Sequence, residues 1–301
     1  MPRDGSVQVQ KDGERMTPPI LASAGRLLER YDVLFCDIWG VVHNGVAAYP
    51  AAGEALAGYR RAGGTVVLLS NAPRGADAVA CILDEKGVVR DAWDVIVTSG
   101  DLARSHIAER GYRRVHHIGP RRDDDLFAAI SAQRTGFDEA EALVVTGLND
   151  DRRETGESYR ALLTAAVARG MPLVCANPDL VVHVGSLELP CAGAVAAIHA
   201  ALGGAVYWAG KPHRPVYERA LVAACEARGA DIAPGRVLAI GDAVRTDLAG
   251  AAGFGIDALF IAQGIHHGDV MVDGGIRPER LTALLAAHAL PAPVAVMVAL
   301  Q

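Results

Sequence analysis

The sequence feature that most constrains the fold is residues 33–45, VLFCDIWGVVHNG, in which a short apolar run ends in an acid. The run over residues 33–36 is followed at once by Asp37, and then by Gly40 and Gly45. An apolar run of this length bounded by turn residues is typical of a strand buried on both faces, as in a parallel sheet. Asp37 is then predicted at the carboxyl end of the strand, the edge where open α/β sheets bind ligands.

The rest of the chain alternates apolar runs with amphipathic segments, which predicts an α/β fold with parallel sheets. We predict a first unit from residues 1–100 and 206–301, with the run 206–209 as one of its strands. Residues 101–205 are predicted to form a separate α/β unit, with a helix over 123–133.

Composition narrows the class of function. Hydrophobic residues make up 51% of the 301, enough for two domains with a large core. The net charge of −6 argues against a nucleic acid or an anionic membrane as partner.

The expected location is cytoplasmic. Residues 1–19 are predicted to be a loose arm without the apolar centre of a signal peptide. No apolar run reaches the roughly 20 residues that span a bilayer. The five cysteines contain no CxxC pair, so we interpret them as reduced, mostly buried thiols.

Polar side chains follow four of the apolar runs: Asp37, Ser70, Lys211 and Asp242. A single acid after a strand is usually a helix cap or a turn residue. Four such residues of complementary chemistry are harder to explain in that way. If the runs are neighbouring parallel strands, the four side chains meet at one edge of one sheet.

These residue types suit phosphoryl transfer to a carboxylate. Asp37 can attack phosphorus and form an acyl phosphate. Asp242 can share a Mg²⁺ with Asp37, because hard cations prefer oxygen ligands. Ser70, Asn71 and Lys211 can bind the oxygens of the transferring group.

Four motifs, in this order along the chain, resemble the signatures of the haloacid dehalogenase (HAD) superfamily. They are DIWGVVHNG at residues 37–45, LLSNAPR, GKPHRPVYE and GDAVRTD. The insert is similar to the cap of subclass IIA, the nitrophenyl-phosphatase-like and pyridoxal-phosphatase-like group, through ANPD at residues 176–179 and PCAG at 190–193. The resemblance covers about residues 30–290. It implies a Rossmann-like three-layer α/β/α core with an inserted α/β cap of the C2 type.

The resemblance also implies roles for individual residues. The implied nucleophile is Asp37, and the implied Mg²⁺ ligands are Asp37, the backbone carbonyl of Trp39 and Asp242, with Asp247 beside them. The implied phosphate-binding residues are Ser70, Asn71 and Lys211. The cap residues expected to face the substrate are Asn177, Asp179 and His183. A homodimer is a further expectation.

Trp39 departs from the family pattern, because phosphatases of this superfamily carry a second acid there. That acid protonates the leaving oxygen, whereas an indole N–H is not acidic near neutral pH. Loss of general acid–base help typically costs about 10²–10⁴ in rate. Three explanations of this departure stay open. The substrate has a good leaving group, or another residue such as His43 or His213 takes the place of the acid. In the third, the protein binds phosphorylated ligands with little turnover.

The leading hypothesis is a Mg²⁺-dependent phosphatase that acts on a small phosphorylated metabolite through phosphoaspartate at Asp37. The alternative is a protein that binds or senses a phosphorylated ligand with vestigial activity. A third hypothesis, a Mg²⁺-independent hydrolase acting at carbon, fits the acids and the lysine less well.

Overall fold

The computed structural model describes residues 18–128, 130–184 and 187–301, so nearly all of the arm predicted over 1–19 lies outside the described residues. The described strands are β1 Val33–Asp37, β2 Thr65–Ser70, β3 Val95–Thr98, β4 Arg114–Ile118, β5 Gln133–Arg134, β6 Ala142–Val145, β7 Leu173–Cys175, β8 Val181–Val184, β9 Leu187–Pro190, β10 Val206–Trp208, β11 Val237–Gly241, β12 Asp257–Ile261, β13 Met271–Val272, β14 Gly275–Ile276 and β15 Ala295–Met297.

The described α-helices are α1 Gly25–Leu28, α2 Pro50–Arg61, α3 Ala76–Glu85, α4 Ser99–Glu109, α5 Arg160–Ala168, α6 Ala192–Ala201, α7 Arg214–Arg228, α8 Ala249–Phe254, α9 His267–Val270 and α10 Pro278–Ala287. Short 3₁₀ segments and one π-helical turn, Val244–Leu248, connect them. None of the described helices is long and apolar enough to cross a membrane.

The first sheet has six parallel strands in the order β15-β12-β11-β1-β2-β3. The run around Asp37 is its central strand, and all five residues of β1 are buried. The carboxyl ends of β1, β2 and β11 lie side by side, with Asp37 opposite Leu69 in the register. The predicted α/β class is confirmed, and so is the prediction that β1 is buried on both faces.

The second sheet has five parallel strands in the order β10-β7-β6-β4-β5. Its edge strand β10 pairs with β7, with Val206 opposite Leu173 and Trp208 opposite Cys175. The prediction that residues 206–209 form a strand of the first unit is therefore wrong. An apolar run that ends in a polar loop has the same sequence pattern in either sheet, so the pattern does not reveal its partner. We propose that the inserted unit extends to about residue 209.

Alternating residues of each strand contribute to different apolar clusters, as the two-residue period of a strand requires. In β1, Val33 and Phe35 belong to a central cluster, and Leu34 belongs to the cluster on the opposite face of the first sheet. In β6, Val144 also belongs to the central cluster, whereas Leu143 packs on the far face of the second sheet. The two sheets therefore share one continuous apolar core.

The prediction of a helix over residues 123–133 is wrong. The chain forms a 3₁₀ segment at Arg121–Phe127 and then the short strand β5. Asp123 in this segment is buried. All five cysteines are free, and three of them are buried: Cys36, Cys175 and Cys191.

Candidate active site

Three buried carboxylates meet at the carboxyl edge of the first sheet. Asp37 is the last residue of β1, Asp242 follows β11 directly, and Asp247 lies in the π-helical turn that comes next. One oxygen of each lies within 4.8 Å of the others. The predicted convergence of Asp37 and Asp242 is what the structure shows, and Asp247 belongs to the same cluster.

Lys211 reaches this acid cluster from the loop after β10 in the second sheet. Its Nζ donates to Asp37 Oδ1, and also to Asp247 Oδ1 at 2.7 Å. The ammonium is only 4% exposed, so it is part of the buried cluster. The four polar residues predicted to converge thus come from two sheets rather than from one.

The acid cluster holds three carboxylates and one ammonium. Burial raises the pKa of Asp37 well above its usual range, although the charge on Lys211 opposes that shift. Burial, together with the charge on Asp247, raises the pKa of Asp242 to about 7. Burial alone lowers the pKa of Lys211, but the charges on Asp247 and Asp37 outweigh it and hold that pKa well above the usual range. An extra positive charge would therefore stabilise the ionised carboxylates.

The donor chemistry fits a hard divalent cation, because carboxylate oxygens are the ligands that Mg²⁺ and Ca²⁺ prefer. Among the described residues, Asp37, Asp242 and Asp247 form the one group of three or more such side chains found close enough to hold a metal ion. Asp242 is also oriented by the backbone, since Ile265 N–H donates to its Oδ2 at 2.7 Å.

The glycine of the first motif leaves room for this carboxylate. Gly40 has φ +86°, and a Cβ there would lie 2.1 Å from Asp242 Oδ2. A side chain at this position would be strained and would displace the acid. The spacing between Asp37 and Gly40 therefore reflects the close approach of the first loop to Asp242.

Ser70 and Asn71 both line the cavity above the acids, but their polar atoms are used differently. Ser70 Oγ accepts a hydrogen bond from Ala72 N–H at 3.1 Å, and its own proton has no partner among the described residues. Ser70 can still donate to a bound anion.

Asn71 is fully engaged by the protein. Its Nδ2 donates to Asp179 Oδ1 at 2.8 Å and to the carbonyl of Lys211 at 3.1 Å. Its Oδ1 accepts from Lys211 N–H at 2.8 Å and from Ser99 Oγ at 3.3 Å. The Asn71 side chain thus has no free donor for a phosphate, and the phosphate-binding role of this residue stays a prediction. The residue fixes the Lys211 loop and ties it to the cap residue Asp179.

Trp39 forms part of the cavity wall and is 39% exposed. Its indole lies over Gly45, where a Cβ would be 2.5 Å from the ring, and the φ of Gly45 is +85°. The ring also meets His43 edge to face, with the ring centroids 5.2 Å apart. The first loop thus accommodates the large side chain at the position where relatives are expected to carry an acid.

His43 is a neutral imidazole. It is 3% exposed, and burial, with the nearby charge of Lys86, lowers its pKa to about 4. Gly45 N–H donates to Nδ1 at 2.9 Å, so the ring proton sits on Nε2. The other candidate, His213, stacks on Trp208 with the centroids 4.8 Å apart and is not among the described residues that line the cavity. Its proposed role as a substitute acid has no support in this geometry.

The acids form the floor of a cavity of about 880 Å³ between the two units. Asn177 and Asp179 of the cap line it as predicted, while the side chain of His183 lies outside what the structure describes. Apolar side chains of both units form much of the wall: Trp39, Val46, Tyr49, Val79, Ile82, Val181, Val182 and Leu189.

Sequence reasoning missed a group of ion-paired residues in the same cavity. Arg74 donates to the carbonyl of Arg122 at 3.0 Å, and its Nε lies 4.0 Å from Asp123 Oδ1. Arg122 donates to Asp151 at 2.6 Å. Arg74 stands at the end of the second motif, but nothing in the sequence pairs it with loops that lie 48 or more residues away.

Comparisons with known proteins give matches that cover most of the chain. The family model described as haloacid dehalogenase-like hydrolase matches residues 34–133, and a second, described as HAD-hydrolase-like, matches residues 208–288. D-glycerol 3-phosphate phosphatase of Mycobacterium tuberculosis is 29% identical over 243 residues, which are 80% of this chain and 65% of that protein. The match thus spans just under two thirds of that relative.

Two solved structures are similar over most of their length. A glycerol phosphate phosphatase of Mycobacterium tuberculosis in complex with magnesium is 29% identical, with a TM-score of 0.61, and the match covers 79% of this chain and 70% of that one. A hydrolase of the haloacid dehalogenase-like family from Brucella suis 1330 is 42% identical, with a TM-score of 0.80, and the match covers 93% of this chain and 99% of that one. This protein therefore belongs to the haloacid dehalogenase-like hydrolase family.

Proposed function

We propose that the protein is a phosphatase of small phosphorylated metabolites and works through a phosphoaspartate at Asp37 with bound Mg²⁺. The observation that carries the proposal is the buried cluster of Asp37, Asp242, Asp247 and Lys211 at the floor of a cavity. A carboxylate nucleophile beside a fixed ammonium and two further acids suits attack on a phosphate dianion.

In the first half-reaction an oxygen of Asp37 bonds to phosphorus, and the bond from phosphorus to the leaving oxygen breaks. The electron pair stays on the leaving oxygen, which then takes a proton from water. In the second half-reaction water attacks phosphorus, Asp37 regains its carboxylate and the phosphate product carries the water protons. Lys211 would move from the acids onto the oxygens of the transferring group, with Ser70 beside it.

The metal would be held by Asp37, the Trp39 carbonyl, Asp242 and Asp247. When bound, Mg²⁺ supplies the positive charge that reduces repulsion between the carboxylate and the phosphate. The magnesium complex of the similar glycerol phosphate phosphatase supports this choice of ion.

The cavity wall favours a substrate with one phosphate and no second anionic group. Arg74 and Arg122, the arginines among the described lining residues, already face the carboxylates of Asp123 and Asp151. Trp39 and Tyr49 offer flat apolar surfaces for the remainder of the substrate. We therefore expect aryl phosphates to be hydrolysed much faster than alkyl phosphates, since Trp39 cannot protonate a poor leaving group.

The test is phosphate release from 4-nitrophenyl phosphate and from D-glycerol 3-phosphate, the alkyl phosphate in the name of the similar phosphatase. Wild type should release phosphate only with Mg²⁺, and Asp37→Asn should release none above background, because an amide is not a nucleophile of this kind.

Thermal unfolding of Asp37→Asn serves as the control for folding. Turnover that survives in this variant would show that another group attacks phosphorus. Tight binding of phosphorylated ligands without turnover by wild type would instead support the alternative of a ligand-binding protein.

A further inference from the structure

We propose that His43 is a catalytic residue whose Nε2–H donates a hydrogen bond to the leaving oxygen, in place of the acid that Trp39 replaces. The proposal rests on the phosphatase function proposed above. It concerns hydrogen bonding by a neutral imidazole and involves no proton transfer from the ring.

The first observation is the orientation of the ring. Gly45 N–H occupies Nδ1 at 2.9 Å, which leaves the proton on Nε2. This N–H has no hydrogen-bond partner among the described residues. Among the described residues, the buried side-chain polar atoms that lack a partner do not include His43 Nε2, so this atom is not cut off from solvent. The N–H is therefore open to an acceptor from outside the protein, either water or a bound ligand.

The second observation is the position of the ring. His43 lines the same cavity as Asp37 and lies against Trp39, with the ring centroids 5.2 Å apart. Trp39 stands two residues after the nucleophile, where relatives are expected to carry the acid. The imidazole therefore lies in the wall of the cavity that contains Asp37, next to the side chain that stands where the acid is expected.

The third observation is that the first loop holds the ring in place. The backbone of Trp39 pairs with that of His43, His43 N–H donates to the Ile38 carbonyl at 3.2 Å, and Gly40 N–H donates to the His43 carbonyl at 2.8 Å. A donor fixed in this way needs no reorganisation when charge develops on the leaving oxygen, which is the condition for effective electrostatic stabilisation.

The step balances without an additional acid. As Asp37 bonds to phosphorus, the electron pair of the breaking P–O bond passes to the leaving oxygen. His43 Nε2–H stabilises that oxygen and keeps its proton, and the oxygen is protonated by water as the product leaves. The stabilisation matters most for an alkoxide and least for 4-nitrophenolate, which carries the charge well by itself.

The experiment compares His43→Phe, which removes the donor and retains a flat ring, with His43→Gln, whose amide N–H can take the place of Nε2–H. Each is assayed on D-glycerol 3-phosphate and on 4-nitrophenyl phosphate. Loss of one such donor costs about 10²–10³ in rate. We expect a loss of that size on the alkyl ester for His43→Phe, a much smaller one on the aryl ester, and partial recovery in His43→Gln.

Tyr49→Phe is the matched control. It removes another hydrogen-bond donor, a phenol hydroxyl, from the same cavity, and its ring still packs on the apolar cluster of the first sheet. It should affect the two esters to the same degree. If His43→Phe does not fold, as judged by its thermal midpoint, His43→Asn replaces it, since that shorter amide does not reach the Nε2 position.

Equal losses on both esters for the His43 variants would overturn the role of His43, as would a selective loss in Tyr49→Phe. Either result leaves the phosphatase function intact as long as Asp37→Asn is inactive. Failure of wild type to hydrolyse either ester would overturn both proposals.

Discussion

At the scale of single residues, the charge of the acid cluster determines when the site can accept a cation. Burial raises the pKa of Asp242 to about 7 and that of Asp37 in the same direction. Without a cation, these carboxyls therefore hold protons at a pH where exposed acids are ionised. A divalent ion must displace those protons to bind.

Mg²⁺ affinity should therefore rise with pH between about 5.5 and 8. For each carboxyl that must lose a proton, the gain approaches about tenfold per pH unit below its pKa and disappears above it. Isothermal titration calorimetry at several pH values measures this directly. Asp242→Asn removes the group with the pKa near 7, so its much weaker Mg²⁺ binding should depend less on pH. A flat profile in wild type would contradict the raised pKa values.

The residues of the acid cluster were predictable because the carboxyl ends of parallel strands fall at one edge of a sheet. Asp37 and Asp242 follow buried strands of unmistakable pattern. The ion pair of Arg122 and Asp151 was not predictable, because both residues lie in loops without periodicity. Asn71 was recognised in its motif, but sequence alone does not tell that its four hydrogen bonds are all used inside the protein.

At the scale of elements, helix α4 connects the first sheet to the inserted unit. Its N-cap is Thr98, the last residue of β3, whose Oγ1 accepts from Asp101 N–H at 3.0 Å and donates to Asp101 Oδ2 at 2.8 Å. Asp101 Oδ2 also accepts from Ala76 N–H at the start of α3, at 2.8 Å. One buried hydroxyl thus orders the beginnings of two helices.

Thr98→Val should lower the free energy of unfolding by about 0.5–2 kcal/mol, the range for loss of a helix N-cap. Valine keeps the shape of threonine but removes the hydroxyl, leaving Asp101 N–H without its acceptor. Thr98→Ser keeps the hydroxyl and is the matched control. Urea denaturation of the three proteins provides the comparison, and equal stability of the valine and serine variants would show that the cap contributes nothing.

Element types were easier to predict than their partners. The strand around residues 206–209 was predicted from its apolar run, yet pairing in the second sheet depends on where β7 lies in space. Strand β5 was missed because Gln133 and Arg134 are exposed polar residues at a sheet edge. The π-helical turn at Val244–Leu248 follows from tertiary contacts of Asp247, which no propensity encodes.

At the scale of the whole molecule, three apolar clusters pack on the faces of the two sheets, and one of them contains residues of both. Trp93 lies in the cluster on the outer face of the first sheet, and Trp208 packs on the cluster at the far face of the second sheet. The central cluster, which includes Leu102 and Ile107 of α4 and Tyr217 of α7, joins the two sheets. Unfolding of either unit would expose part of this shared cluster to water.

We therefore expect the two units to unfold in a single transition. Variants that retain only Trp93 or only Trp208 report on the two outer clusters separately, since the chain has three tryptophans and the third is Trp39. Their fluorescence midpoints in urea should coincide, as a two-state transition requires. Midpoints separated by more than the experimental error would show that the inserted unit unfolds independently.

Because Lys211 follows a strand of the second sheet, its position has a consequence for hybrids made from two related proteins. The ammonium that contacts Asp37 is carried by the loop after β10, whose pairing partner β7 lies in the insert. Exchange of residues 101–205 alone would replace β7, the strand with which β10 pairs, and Asp179, which accepts a hydrogen bond from the Asn71 side chain that also holds the Lys211 backbone. We therefore expect a hybrid to keep the ammonium beside Asp37 when residues 101–211 are exchanged together, and to lose that placement when residues 101–205 are exchanged alone.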